Sequence, residues 1–398
     1  MSNVVVLGAV RTPIGAMGGA LSGYEARELA TFAIAKAIEA AGVDPAQVQY
    51  TCMGWVMQDP RSANLAKVAA EFAGVPSSVP GTTFHENCAS GAASVHSLAR
   101  RILLGEVGMG VAGGVECMSN VPRYLFAGRL KGQVYGDMTL VDGVMGSLVD
   151  RNVGEKGEVM GLMTERLVAK YGVTREEQDD VAFRSHANAV AAWESGAFAD
   201  YVVPVPIPQK KGLPPVMFAR DEGPKVLKRE DFAKPRPYFK PDGGTITGMN
   251  SSAISDGAAA LVLASEEVAA KLGRRPLARL VSYGNVGVPR ELMGEGAFKV
   301  IPHVLARAGL SLGEMSFLEL NEAFAAVVAA AYHDLPGLEA DKVNPWGSGI
   351  SLGHPVGCTG SRQMVDMIHQ LRRRGGRFGL TTRCVGGGIG SGEILEAL

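Results

Sequence analysis

Short apolar runs rich in β-branched residues alternate with longer segments of helical periodicity along most of the chain. Helices are predicted at about 26–41 and 88–104, and strands at 4–7, 111–114, 261–263, 280–283 and 378–381. The alternation predicts layers of helices over buried strands, which is the arrangement of an α/β protein.

The stretch from about 122 to 249 has a different composition. It is rich in glycine, proline and methionine, and it contains one helical pattern around 175–195. The run VVPVPIPQKKGLPP follows. Its prolines exclude a central strand or a helix, because proline lacks the backbone N–H that both structures require. We therefore expect residues 122–249 to form an inserted loop domain that acts as a lid.

A weak internal similarity links two distant segments. NCASG and GHPVGCTG each begin a helix followed by a strand and a glycine-rich turn, GGVE in one case and CVGGG in the other. Chance similarity and a true duplication are equally compatible with this pattern. A duplication predicts two halves that meet at one site, residues 1–121 (completed by about 250–274) and residues 275–398.

The composition narrows the classes of function. The 398 residues include 39 basic and 40 acidic side chains, so charge gives no support for binding nucleic acid or an anionic membrane. No apolar run approaches the roughly 18 residues of a membrane span, and the first residues lack a secretory signal pattern. The five cysteines form no regular framework, which favours a reducing, cytoplasmic location and no metal site.

One of these cysteines begins a helical pattern. Cys88 lies in HENCASGAASVHSLARRILL, where the small residues after it start an apolar helix. Free N–H groups and the helix dipole stabilise a thiolate at such a position and lower its pKa. A buried packing cysteine is the alternative interpretation.

Three further segments offer partners for this thiol. His354, surrounded by glycines in GSGISLGHPVG, is the candidate base, although a lone histidine is more often structural. Cys384 precedes the glycine-rich turn GGGIG, whose N–H groups can bind an oxyanion. Asn321 in NEAFAA is either functional or an ordinary helix cap.

Together these segments resemble the thiolase family over nearly the whole chain, from RTPIG to CVGGG. NCASG matches the family's nucleophile segment, GGVECMS its GGxExMS turn, NEAFAA its asparagine motif, GHPVGCTG its GHPxGxSG loop and CVGGG its C-terminal CxGGG. The resemblance implies a thiolase fold, with two similar βαβαβαββ halves in a five-layer α-β-α-β-α sandwich and an inserted loop domain.

The resemblance also implies the chemistry. Cys88 would attack the 3-keto carbon of a 3-oxoacyl-CoA, and Cys384 would protonate the departing enolate or remove the α-proton in the reverse Claisen condensation. His354 would activate Cys88 and, with a water held by Asn321, form one oxyanion hole. The N–H groups of Cys88 and Gly386 would form the other.

Coenzyme A is then a co-substrate, and no permanently bound cofactor is expected. The family's contacts to CoA carry over to Ser252, Met160 and Phe324. The basic residue beside the adenine, usually arginine, is Lys225 here, which lacks a planar stacking surface. The partners implied are CoA and acyl-CoA thioesters, in a homodimer or homotetramer, with an accessory subunit left open.

Most departures from the family pattern concern the acyl pocket. Val159 replaces a common histidine, and Trp346 adds bulk before the GHP loop. Cys117 and Cys358 replace the common Ser and Ala, which we interpret as packing changes. An apolar wall stabilises larger acyl groups, because they bury more hydrocarbon surface against it. If Trp346 packs outside the pocket, we therefore predict a substrate larger than acetoacetyl-CoA, as in fatty acid or aromatic acid degradation. A short-chain acetyl-CoA acetyltransferase is the alternative.

Three more distant alternatives share either the fold or the reactive cysteine with a thiolase. A ketoacyl synthase lacks a second catalytic cysteine, and a lipid-binding scaffold has no use for the complete set of motifs. A Cys-His hydrolase would release free acid without CoA.

Overall fold

A ten-stranded mixed β-sheet with helices on both faces forms the centre of the molecule. The structure, a computed structural model, describes residues 3–126, 137–210 and 212–398. The strands are β1 (Val4–Arg11), β2 (Gly15–Ala16), β3 (Thr51–Gly54), β4 (Gly81–Phe84), β5 (Met109–Cys117), β6 (Arg123–Tyr124), β7 (Val141–Asp142), β8 (Val149–Asp150), β9 (Glu158–Val159), β10 (Val205–Ile207), β11 (Val216–Phe218), β12 (Ser255–Ser265), β13 (Ala278–Gly287), β14 (Met315–Leu320), β15 (Phe378–Val385) and β16 (Ile389–Ala397). The helices are α1 (Ala26–Ala41), α2 (Leu65–Phe72), α3 (Ser90–Leu103), α4 (Gly143–Ser147), α5 (Met160–Tyr171), α6 (Arg175–Glu194), α7 (Arg229–Phe232), α8 (Glu266–Lys271), α9 (Gly296–Ala308), α10 (Ala325–Asp334) and α11 (Thr359–Arg374).

The sheet has two sections joined by a short seam. Its order is β14-β15-β16-β13-β1-β12-β5-β3-β4, with β2 added beside β12. At the seam β1 and β13 pair only through Val5 with Arg279 and Val6 with Ala278. The first section therefore comes from the N-terminal part of the chain plus β12, and the second from the C-terminal part.

Helices α3 and α11 pack against each other between the two sections, and this contact depends on small residues. A Cβ atom on Gly360 would lie 2.6 Å from the backbone nitrogen of Ala92, and one on Gly91 would lie 2.9 Å from the carbonyl oxygen of Gly357. Helices α1 and α2 cover the outer face of the first section, and α9 and α10 lie on the outer side of the second. The result is the predicted five-layer α-β-α-β-α arrangement.

The predicted elements of the main sheet are all present, and most are longer than expected. Strand 4–7 extends to Arg11, and strand 261–263 is the centre of β12. Helix 26–41 is found at those limits, whereas helix 88–104 begins at Ser90. Cys88 follows β4 of the first section, and Cys384 lies near the end of β15 in the second.

The stretch 122–249 consists mainly of short hairpins and helices outside the main sheet. The proline-rich run forms β10, which pairs only with β11 in a two-stranded ribbon, as its missing N–H groups require. Residues 127–136 and 211 lie outside the described part of the chain, and the domain limits stay a prediction. None of the described helices is long and apolar enough to cross a membrane.

Candidate active site

A small cavity of about 70 Å³ brings together three candidate residues that are far apart in sequence. Cys88, His354 and Cys384 all line it. The predicted CoA contacts Met160, Ser252 and Phe324 line the same cavity. The loops that follow different strands of the two sheet sections therefore converge on one site.

A strained turn positions Cys88 two residues before helix α3. The preceding residue, Asn87, has a positive φ of 43°, which non-glycine residues rarely adopt. Its side-chain Nδ2 donates a hydrogen bond to the carbonyl oxygen of Gly386 at 2.7 Å, and its own carbonyl accepts one from Ser90 Oγ at 2.7 Å. Asn87 thereby connects the segment that carries Cys88 to the glycine-rich turn after Cys384.

Two opposing effects act on the thiol of Cys88. Burial raises its pKa to about 11, so the lowered pKa predicted from the helix terminus is wrong for the free enzyme. The backbone N–H groups of Gly386 and Cys88 and the positive charge of Arg383 oppose that rise. Glu116 adds to the rise through its negative charge. Cys88 is thus a thiol near neutral pH, surrounded by donors suited to an anion, and it needs a base to react.

His354 has the properties of that base. Its Nδ1 lies 2.6 Å from Thr359 Oγ1, and the same hydroxyl donates to the carbonyl oxygen of Pro355 at 3.0 Å. Burial, reinforced by the positive charge of Arg362, lowers the pKa of His354 to about 3, so the imidazole is neutral at physiological pH. A neutral ring that donates from Nδ1 has its lone pair on Nε2.

The glycine-rich loop around His354 is held by a buried carboxylate. Glu116 accepts hydrogen bonds from the backbone N–H groups of Gly357 at 2.9 Å and of Val56 and Met57 at 3.1 Å each. Burial raises the pKa of this carboxyl to about 7, although these N–H groups favour its ionised form. The glutamate of GGVE therefore connects the loop to the end of β5.

Cys384 lies at the end of β15 and is almost completely buried. Burial raises its pKa, and the nearby Cys88 raises it further. The turn after it contains Gly387 and Gly388 with φ values of 98° and 85°, which favour glycine at both positions. The structure therefore holds a second neutral thiol beside the first.

Asn321 is fully buried but does not line the cavity. Its side-chain Oδ1 and Nδ2 have no hydrogen-bond partner among the described residues, and a Cβ on Gly349 would lie 2.8 Å from that Oδ1. Buried amides without partners are rare in folded proteins. An ordinary helix cap is excluded, because α10 begins only at Ala325 and Asn321 makes no capping contact.

A second cavity of about 350 Å³ adjoins the first through Ser252, Phe324 and His354. Most of its wall is apolar and includes Val159. Lys225 lines neither cavity; it is exposed and its backbone N–H donates to His186 Nδ1 at 3.3 Å.

The residues that depart from the family pattern lie mainly in the core. Trp346 packs outside both cavities, with its ring against Phe198 at 5.6 Å between centroids. Cys358 is buried in the core around α3 and α11, and the thiol of Cys117 donates to the carbonyl oxygen of Tyr24 at 2.9 Å. These positions agree with a role in packing.

Four residues near the site had no assigned role from the sequence: Asn87, Glu116, Thr359 and Arg383. Asn87, Glu116 and Thr359 lie inside matched motifs, so their identity was visible but their contacts were not. The contact of Thr359 follows from its position five residues after His354, at the first turn of α11.

A layered α/β fold with two thiols and a neutral imidazole on one cavity is typical of enzymes that carry acyl groups on a cysteine. The chain matches the model of the thiolase N-terminal domain over residues 4–267 and that of the thiolase C-terminal domain over residues 274–397. It therefore belongs to the thiolase family.

Relatives align with this chain over its full length. Acetyl-CoA acetyltransferase 2 of Arabidopsis thaliana is 42% identical over 400 residues, covering 100% of this chain and 97% of that protein. The crystal structure of the Bacillus anthracis acetyl-CoA acetyltransferase superimposes with a TM-score of 0.96 at 43% identity, covering 100% of this chain and 99% of that one. Human mitochondrial 3-ketoacyl-CoA thiolase in complex with CoA gives a TM-score of 0.94 at 35% identity, covering 100% and 98%. The chain is an acyltransferase with the acyl-CoA chemistry of thiolases, which use CoA as a co-substrate.

Proposed function

We propose that this acyltransferase cleaves a 3-oxoacyl-CoA with CoA to acetyl-CoA (or a related acyl-CoA) and a shortened acyl-CoA, or runs the reverse Claisen condensation, through an acyl-Cys88 thioester. The carrying observation is the convergence of Cys88, His354 and Cys384 on one cavity. Two thiols with raised pKa values and one base with a lowered pKa suit a reaction with two separate proton transfers.

In the first half-reaction, Nε2 of His354 takes the proton of Cys88, and the thiolate attacks the 3-keto carbon. The N–H groups of Cys88 and Gly386 stabilise the tetrahedral oxyanion. The bond between the α- and β-carbons then breaks, which leaves the acyl group on Cys88 and an acetyl-CoA enolate. The thiol of Cys384 protonates that enolate and becomes a thiolate.

In the second half-reaction, the Cys384 thiolate takes the proton of the incoming CoA thiol. The CoA sulfur attacks the acyl-Cys88 thioester, and Cys88 leaves as a thiolate that recovers its proton from His354. For the enolate oxygen, we assign the imidazole of His354 together with a water held by Asn321. The unpartnered buried amide of Asn321 supports this assignment.

The apolar wall of the larger cavity supports a 3-oxoacyl-CoA larger than acetoacetyl-CoA, as in fatty acid or aromatic acid degradation. Val159, Met118 and Met145 belong to that wall, and Trp346 does not reduce its volume. The small compartment directly beside Cys88 favours the second candidate, a short-chain acetyl-CoA acetyltransferase, because about 70 Å³ holds few carbon atoms. Relative rates on acyl groups of different length separate the two.

CoA binding is assigned to Ser252 and Phe324, which line both cavities, and to Met160, which lines the smaller one. Lys225 is proposed as a contact for the distant adenine end only, since it lies at the surface. A homodimer or homotetramer in the cytoplasm completes the proposal, and the free thiols at all five cysteines fit a reducing compartment.

The direct test is mass spectrometry of the enzyme quenched after mixing with a 3-oxoacyl-CoA and too little CoA. An acyl adduct on the Cys88 peptide is expected, and it should disappear in Cys88→Ser. An adduct on Cys384 alone would overturn the mechanism. Release of free acid without CoA would instead indicate a hydrolase.

A further inference from the structure

A buried carboxylate directly follows Asn321, and the reaction described above does not use it. Glu322 exposes 1% of its surface and lines neither cavity, so a substrate in either cavity would not contact it. It nevertheless accepts hydrogen bonds from helix α6 and from the loop before the GHP motif. These contacts bear on how the neighbouring Asn321 is held.

The two carboxylate oxygens of Glu322 have separate partners. Oε1 accepts a hydrogen bond from Asn344 Nδ2 at 2.8 Å, and Oε2 accepts one from Ser185 Oγ at 2.5 Å and one from the backbone N–H of Ile350 at 3.3 Å. Ser185 lies on α6, whereas Asn344 and Ile350 belong to the loop before the GHP motif. Glu322 therefore connects both elements to the segment that carries Asn321.

The loop lies directly against the side chain of Asn321. A Cβ atom on Gly349 would lie 2.8 Å from Asn321 Oδ1 and 3.1 Å from the carbonyl oxygen of Glu322. The backbone N–H of Asn321 donates to the carbonyl oxygen of Thr382 at 2.9 Å. Because the side-chain amide has no hydrogen-bond partner in the described part of the chain, its position depends on these neighbouring segments. The hydrogen bond from Ile350 to Glu322 holds the loop one residue from Gly349.

Asn344 holds the chain both before and after Asn321. Its Oδ1 accepts a hydrogen bond from the backbone N–H of Leu320, and its Nδ2 donates to the carbonyl oxygen of Leu320, both at 2.9 Å. The same Nδ2 group donates to Glu322. The backbone φ of Asn344 is 50°, a value that non-glycine residues rarely adopt. Asn321 therefore lies between two residues that share one hydrogen-bonding partner.

The hydroxyl of Ser185 indicates which form of Glu322 fits these contacts. Ser185 Oγ also lies 2.7 Å from Ser351 Oγ, and its single proton can be donated to only one of its two neighbours. Burial raises the pKa of Glu322 to about 7 and Glu319 adds to the rise, while the three hydrogen-bond donors oppose it. An ionised carboxylate is the form that satisfies all three donors, with Ser185 donating to Glu322 and Ser351 donating to Ser185.

We propose that Glu322 is a positioning residue of the acyltransfer site: its carboxylate connects helix α6 and the loop before His354 to the segment of Asn321, and so holds the Asn321 amide where it serves the enolate oxygen. The inference rests on the proposed function in that Asn321 acts on the enolate step through a bound water. A carboxylate that only stabilised the fold would not affect one half of the reaction more than the other.

The variant Glu322→Gln keeps the size of the side chain but offers one acceptor oxygen instead of two. Its NH₂ group then faces either Asn344 Nδ2 or the backbone N–H of Ile350, and neither of these groups can accept a hydrogen bond. The loop or Asn344 has to move away, and we expect the Asn321 amide to move with it.

The experiment compares two rates in the full-length enzyme. The first is the exchange of the α-protons of acetyl-CoA with deuterium from the solvent, measured by nuclear magnetic resonance, which requires the enolate. The second is the acylation of Cys88 by a simple acyl-CoA, measured by mass spectrometry, which does not. Since removal of a whole oxyanion donor costs about 10²–10³-fold, displacement of the Asn321 amide in Glu322→Gln should slow the exchange about tenfold. The acylation rate should stay unchanged.

Two further variants make the comparison specific. Glu165→Gln is the matched control, because Glu165 is another buried carboxylate that accepts two backbone N–H groups and a hydroxyl, those of residues 245 and 246. It should leave the ratio of the two rates unchanged. Asn321→Ala should itself slow the exchange, and the addition of Glu322→Gln to it should have no further effect. Independent effects would multiply instead.

Equal slowing of exchange and acylation in Glu322→Gln, or effects that multiply in the double variant, would overturn the proposal. If Glu322→Gln does not fold, Ser185→Ala decides, because it removes one donor and leaves the carboxylate in place. Slower exchange with normal acylation in Ser185→Ala supports the proposal, and normal exchange overturns it.

Failure of the proposed function has a different signature. Exchange at the wild-type rate in Asn321→Ala would contradict the role of Asn321 in the proposed function, and this inference with it. A wild-type enzyme without an acyl adduct on Cys88 would contradict the acyl-enzyme mechanism alone, and the exchange rates of Glu322→Gln and Glu165→Gln would then decide the inference.

Discussion

The Nδ1 atom of His354 lies 2.6 Å from the hydroxyl oxygen of Thr359, and that hydroxyl lies 3.0 Å from the carbonyl oxygen of Pro355. The hydroxyl has one proton, and the carbonyl can only accept. Both contacts are hydrogen bonds only if Thr359 donates to Pro355 and His354 donates from Nδ1. This arrangement leaves the lone pair on Nε2 and prepares the ring to act as a base.

The first prediction concerns this hydrogen bond. Thr359→Val keeps the shape of the side chain but removes the acceptor of the Nδ1 proton, so the ring loses its fixed tautomer. Since general base catalysis contributes about 10²–10⁴-fold, a partial loss of about tenfold in kcat is expected, with KM for CoA unchanged. Thr359→Ser keeps the hydroxyl and should retain most activity. Equal kcat values for the two variants would show that the hydroxyl has no part in orienting His354.

The second prediction concerns the division of work between the two thiols. Cys384→Ala should still transfer an acyl group from a simple acyl-CoA to Cys88, because that step needs no enolate protonation. It should no longer exchange the α-protons of acetyl-CoA with deuterium from the solvent, which nuclear magnetic resonance measures. Cys358→Ala is the control, since Cys358 is a buried thiol outside the cavity. Normal exchange in Cys384→Ala would mean that another group removes the α-proton.

The sequence predicted which candidate residues meet at the cavity better than it predicted the contacts that support them. Cys88 lies before a helix of small residues, whereas His354 and Cys384 adjoin glycine-rich turns, so local pattern and family motif point to the same residues. Thr359 lies inside the matched GHPVGCTG segment, but its contact with His354 could not be found in this way, and Arg383 lies outside the matched motifs. The contact of Thr359 depends on how the loop enters α11, and Arg383 depends on the pairing of β15 with β16.

The same distinction applies to the fold. Apolar runs predicted where the main strands lie, but their ends depend on the register with neighbouring strands. Strand β1 extends to Arg11 because Arg11 pairs with Ala259 of β12, far away in sequence. The short seam between β1 and β13 has no signal in either strand, since it joins residues that are far apart in sequence.

The third prediction concerns pH and stability. Burial lowers the pKa of His354 to about 3, whereas an unfolded histidine titrates near 6.5. Above pH 6.5 the residue is neutral in both states and has no linkage effect. Below it, the unfolded chain binds a proton that the folded enzyme refuses, so stability falls by about 1.4 kcal/mol per pH unit until the folded pKa is reached.

His354→Gln removes this titration and leaves the other histidines unchanged. The free energy of unfolding is measured with urea for the wild type and the variant at one protein concentration. When the pH is lowered from 7.5 to 5.5, it should fall more for the wild type than for the variant. A shift of about 1 kcal/mol is expected, since only the last pH unit lies below the unfolded pKa. A constant difference over this range would mean that His354 takes up its proton in the folded enzyme as readily as in water.

The fourth prediction concerns the acyl group. If the acyl chain contacts the apolar wall of the larger cavity, each added CH₂ contributes about 0.8 kcal/mol, or roughly fourfold in kcat/KM. The wild type should then prefer a medium-chain or aryl 3-oxoacyl-CoA over acetoacetyl-CoA. Steady-state thiolysis of the three substrates measures this directly. A clear lead for acetoacetyl-CoA would make the enzyme a short-chain acetyl-CoA acetyltransferase.

A substitution in the wall links this preference to one position. Val159→Thr keeps the volume of the side chain and adds a hydroxyl that a bound hydrocarbon chain would deprive of water, at a cost of about 1–3 kcal/mol. We expect kcat/KM for the medium-chain substrate to fall at least fivefold and that for acetoacetyl-CoA to change little. Trp346→Phe serves as the control, because Trp346 packs against Phe198 outside the cavity and should leave the ratio unchanged. If Val159→Thr and Trp346→Phe alter the ratio equally, the acyl chain does not lie against Val159.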